Sequence, residues 1–130
     1  MSPDDRSYFD EQLEHVLSEL PLQVSALLDD VPLFVEDYPA RDVMESVGVK
    51  HRRQLCGIYT GVPLIDRSVR QSGILSDVIH LFREGIMHLA AGAKGRVDRD
   101  QLRRQIRITI LHEFGHHHGL GERELRELGY

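Results

Sequence analysis

The segment His112-Glu113-Phe114-Gly115-His116-His117-His118-Gly119-Leu120-Gly121-Glu122 decides how this chain reads, because four of its eight histidines fall within seven residues there. Its core is HExxH: His112, Glu113, His116. A helix advances about 100° per residue, so positions four apart differ by only about 40° around the axis. His112 and His116 are therefore expected side by side, one turn apart. Two imidazoles so placed can hold one Zn²⁺ from one side. Glu113, next to the pair, is positioned to take a proton from water activated by the ion.

A catalytic zinc takes three protein ligands and keeps one position open. His117 and His118 lie about 100° and 200° further round than His116 and do not converge on the same point. Gly119 can turn the chain through a positive φ. Three residues later Glu122 could swing back to the ion; Glu124 and Glu127 are the alternatives. Tyr59 and Tyr130 are the candidates, by residue type, for an electrophilic helper.

The helix carrying the motif is expected over about 98–118. Asp98 or Asp100 would cap its start and Gly119 would end it. Leu102, Ile106, Ile110 and Glu113 fall near one stripe of it. Ile106, Ile108 and Ile110 also alternate as a strand would, but length and the capping aspartates favour helix.

Upstream, Phe9, Leu13, Val16 and Leu20 recur at helical spacing and predict an amphipathic helix over 7–19, stopped at Leu20-Pro21. Residues 22–28 read as a second short helix. Strands are expected at 31–36 (VPLFVE), at 55–62 (LCGIYTGV) and at 74–82 (ILSDVIHLF). The last runs into a helix at 83–91, followed by a turn between Gly92 and Gly95. Residues 42–53 show no decisive pattern. Within them His51-Arg52-Arg53 reads as a solvated loop. Gly57 and Gly61 read as serving backbone geometry, and Cys56 as a small residue tucked into a strand. His15, His51, His80 and His88 are scattered and read as structural.

The chain has 130 residues, of which 41% are hydrophobic and 28% charged. These values fit one globular domain, residues 1–130, with no internal linker. The net charge is −5 with histidine neutral, which offers no electrostatic footprint for nucleic acid. One cysteine excludes an internal disulfide and points to a reducing compartment. No run approaches the roughly 18 apolar residues of a membrane span. The start, MSPDDRSYFDEQ, lacks the basic and apolar parts of a secretory signal. The expectation is a complete cytoplasmic protein with no membrane partner.

HEFGHHHGLGE fits HExxHxxGxx followed by an acid, preceded by VPLFVEDYP and then LCGIYTGVPLIDR. In that order these resemble the minimal zincin-type metallopeptidases, a family of small bacterial zincins, over roughly residues 30–130. The resemblance implies a compact α+β fold, with a small twisted mixed sheet packed on a backing helix and on the HExxH helix. It implies His112, His116 and Glu122 as ligands of one Zn²⁺ and Glu113 as general base. The expected function is zinc-dependent hydrolysis of peptides or unfolded protein. The alternative is a regulatory or adaptor module that keeps the zincin fold and its metal without proteolysis. An exposed sheet edge, from the 55–62 or the 74–82 strand, would hold an extended peptide.

Overall fold

The computed structural model describes residues 1–61 and 77–117, together with Arg123. The first helix, α1 (Pro3–Glu19), begins four residues earlier than the apolar spacing predicts. The cause is local. Ser2 Oγ accepts a hydrogen bond from Asp5 N–H at 3.1 Å, Pro3 suits the first turn, and Asp4 and Asp5 complement the positive end of the helix dipole. Short α2 (Leu22–Leu28) follows Pro21, and β1 spans Leu33–Glu36.

Helix α3 (Arg41–Val47) occupies part of the stretch that gave no pattern. It buries no residue, so it has no apolar stripe to announce it. Its terminator is visible in hindsight: Gly48 takes φ 78°, and its N–H returns to the carbonyls of Glu45 and Met44. A single 3₁₀ turn at Arg52–Gln54 leads into β2 (Gly57–Thr60). Strand β3 (Val78–Phe82) passes without a loop into α4 (Arg83–Ala91). Residues 92–94 form another 3₁₀ turn, and α5 runs from Arg99 to His117. Asp98, not Asp100, caps α5, with its Oδ1 accepting from Asp100 N–H at 3.1 Å.

The sheet is mixed and ordered β1-β3-β2. Strands β1 and β3 are parallel, with Leu33 opposite Ile79; β2 and β3 are antiparallel, with Tyr59 opposite Ile79. The order corrects one expectation. β3, the 74–82 candidate, is central and hydrogen-bonded on both sides, so it cannot offer an edge. Of the two strands considered, only β2 lies at a border of the described sheet.

Helix α5 packs against α1, α4, β2 and β3, which makes it the hub of the fold. Its stripe Leu102, Ile106 and Ile110 is fully buried against Phe9, Leu13 and Val16 of α1, Ile79 and Leu81 of β3, and Ile86 of α4. Each such side chain contributes about 1.5–3 kcal/mol on leaving water. Ile108 is only half-buried, so the helical period prevails over the strand-like alternation. Arg83 ties the layers together at one edge. It donates to both carboxylate oxygens of Asp10 on α1 (3.0 and 3.1 Å) and to Asp37 Oδ1 beyond β1 (3.0 Å). Among the described residues no helix is long and apolar enough to cross a membrane.

Candidate metal centre

The buried stripe of α5 does not stop at Ile110. One turn further on it continues with Glu113, which is 8% exposed, and Phe114, which is 4% exposed. His112 and His116 border this stripe and are half-buried. Their ring centroids stand 4.9 Å apart with planes at 78°. Candidate ligand atoms of His112, Glu113 and His116 all lie within 4.8 Å of one another. Two imidazoles at that separation are donors of the kind zinc favours, and the Glu113 carboxylate stands beside them.

Strand β2 lies directly over this part of α5. The packing depends on Gly57. A Cβ placed there would stand 2.9 Å from the His80 carbonyl oxygen, 3.0 Å from Thr109 Cγ2 and 3.5 Å from Glu113 Cγ. A side chain would therefore push β2 away from its neighbour strand and from Thr109 of α5, while meeting the Glu113 stem at ordinary contact distance. An isolated glycine in a β-branched and aromatic run often marks such a close approach. That signal was present in LCGIYTGV, although the partner it approaches was not.

The main chain of β2 has two sides. Phe82 N–H donates to the Cys56 carbonyl at 2.8 Å, so the main-chain groups of Cys56, Ile58 and Thr60 turn toward β3. Those of Gly57 and Tyr59 turn away from it. The Cys56 thiol is pushed up to about 11, chiefly by burial and secondarily by the negative charge of Glu113. At neutral pH Cys56 is thus held as the thiol, and it reports that Glu113 is near.

Tyr59 contributes to the core-facing side of β2, and its hydroxyl is buried. Glu122, Glu124, Glu127, Tyr130 and His118 lie outside the described residues, as does the side chain of His117. Two of the scattered histidines have local partners: His15 pairs with Glu19 on α1 (3.0 Å), and His80 with Glu36 across the sheet (2.7 Å).

Compared with known families, residues 28–130 match the zincin-like metallopeptidases. No curated protein matches the chain.

Proposed function

This chain belongs to the zincin-like metallopeptidase family, and from that membership we propose that it hydrolyses peptide bonds at the end of α5, with zinc as its cofactor. The observation that carries the reading is the meeting of His112, His116 and a buried Glu113 beneath Gly57 of β2. His112 and His116 would hold the ion, with Glu122 assigned from the sequence as third ligand. Zinc, when bound, supplies Lewis acidity, acidifying water and polarising a carbonyl group.

The remaining work falls to this chain's own groups. Glu113 accepts the proton of the attacking water and returns it to the leaving amine. Its stem is confined between α5 and β2, which holds the carboxylate beside the two imidazoles. The outward main-chain groups of Gly57 pair with an extended peptide and lay it along the site. Such pairing reads backbone rather than side chains, which suits a substrate that is a peptide or an unfolded segment.

The test is a pair of variants. Glu113→Gln is expected to retain stoichiometric zinc and to lose about 10²–10⁴-fold in peptide hydrolysis. His112→Ala is expected to lose the zinc. Wild-type cleavage by the first variant would remove Glu113 from the mechanism, and full zinc content in the second, by elemental analysis, would remove the ligand assignment.

A further inference from the structure

The basic run at residues 50–54 takes no part in the chemistry above, yet it borders it. Between this run and α4 lies a groove of about 510 Å³, lined by His51, Arg53, Gln54, Cys56, His88 and Leu89. Across the same ridge a second hollow is lined by Met44, Lys50 and His51 through Arg53. Among the described residues neither hollow has an acidic lining residue, in a chain whose net charge is −5.

The walls are held in place. Gln54 Oε1 accepts from the N–H groups of Lys50 and His51, both at 3.1 Å. Arg52 donates to Glu84 Oε1 at 2.6 Å and lies 4.2 Å over the Tyr38 ring. On the α4 side, Gly85 packs against the Leu55 carbonyl so closely that a Cβ would collide with it. Arg52 is therefore neutralised and anchored, whereas among the described residues Arg53 has no carboxylate partner and faces the groove.

The groove also adjoins the candidate centre. Cys56 lines it, and the next residue, Gly57, abuts Glu113. A strand advances about 3.4 Å per residue, so a peptide paired with Gly57 reaches the groove within one or two further residues.

We infer that this groove is a specificity subsite for a carboxylate of the peptide substrate, with Arg53 as charge partner, His51 and His88 as hydrogen-bond donors, and Leu89 against the aliphatic stem. The inference rests on the hydrolase reading above. The carboxylate is either an Asp or Glu side chain or the peptide's own C-terminus, and the experiment separates the two.

Zinc-loaded full-length protein is given a set of quenched fluorescent peptides. One position at a time is varied among Glu, Gln and Lys, and each peptide is made with a free and an amidated C-terminus. Peptides with a carboxylate at one position should be cleaved with kcat/KM about three- to tenfold above their Lys counterparts. A Glu-over-Gln preference that survives amidation identifies a side-chain carboxylate; a preference abolished by amidation identifies the terminus. Arg53→Glu should invert the ranking. Arg107→Glu, the same charge change on an exposed part of α5, should leave it intact.

Binding of the same peptides to Glu113→Gln is followed by fluorescence anisotropy, which separates the two readings. Cleavage with one ranking in wild type and Arg53→Glu overturns the subsite and keeps the hydrolase. No cleavage, but carboxylate-selective binding that Arg53→Glu abolishes, overturns the hydrolase and keeps the groove. Neither cleavage nor charge-selective binding overturns both.

Discussion

Replacing Gly57 by alanine tests the contact on which the candidate centre depends. The added methyl would lie 2.9 Å from the His80 carbonyl oxygen and 3.0 Å from Thr109 Cγ2, where ordinary contact begins at 3.4 Å. Something must open by about 0.4–0.5 Å. The carbonyl belongs to the central strand, hydrogen-bonded on both sides, and does not yield. The Thr109 side chain is fixed by its Oγ1 donating to the Gln105 carbonyl at 2.8 Å. The movable partner is β2, which must lift away from α5. Overpacking of this kind costs about 1–3 kcal/mol, and the better strand entropy of alanine returns about 0.5–1 kcal/mol. Taken at their midpoints these leave a net loss of about 1.3 kcal/mol, which should lower Tm by roughly 5 °C for a domain of this size. Differential scanning calorimetry measures it directly. A double-mutant cycle with Thr109→Ser, which deletes the obstructing methyl, should recover about 0.5–1 kcal/mol of coupling. An alanine variant melting within about 1 °C of wild type, or strict additivity in the cycle, would refute the close approach of β2 to the Glu113 helix.

Other parts of the molecule give further tests. Arg83→Met leaves Asp10 and Asp37 without their shared guanidinium and should cost about 2–3 kcal/mol in urea denaturation; a loss below about 0.5 kcal/mol would show that the network is ornamental. The Asp37 carboxyl is held below its ordinary range, first by the hydrogen bonds from Arg6 and then by the charges of Arg6 and Arg83, against an opposing effect of burial. Its folded pKa is depressed, so its contribution is present above the unfolded carboxylate range near pH 4 and is lost as pH falls through the lower folded value. Asp37→Asn should therefore flatten the acid limb of a stability-against-pH curve, and an unchanged limb would contradict the assignment. Iodoacetamide should modify Cys56 slowly at pH 7 and faster as pH nears about 11. Glu113→Gln should shift that profile to lower pH only in part, because burial is the larger cause; a profile midpoint near the free-thiol value of about 8.5 in wild type would contradict the burial.

What could be read from the residues alone was whatever repeats along an element. The α1 and α5 stripes were legible because Phe9, Leu13, Val16, Leu102, Ile106 and Ile110 keep one helical face against one core. The partnership of His112, Glu113 and His116 was legible for the same reason, since it is fixed within two turns of one helix. Strand order was not legible: LCGIYTGV and ILSDVIHLF have similar composition, and which one lies in the middle depends on contacts with β1. Helix α3 escaped because none of its residues is buried, leaving Gly48 as its one local sign. The role of Gly57 was half-visible. Its presence in a strand indicates proximity to something, but the identity of that neighbour is a property of packing between distant segments.

The parallel pairing of β1 with β3 has a kinetic consequence. Everything from α3 to β2 lies between those two strands in the chain, whereas α4 and α5 are separated only by a short turn. Closing the long loop costs entropy before any ladder contact repays it, while the helical pair can collapse locally. A refolding chain should thus regain its far-ultraviolet ellipticity ahead of the barrier at which the sheet closes, and it should acquire competence to bind zinc tightly only after that barrier. Stopped-flow circular dichroism run beside a chromophoric zinc indicator would resolve the two phases, and their coincidence would mean that helices and sheet assemble in one concerted step.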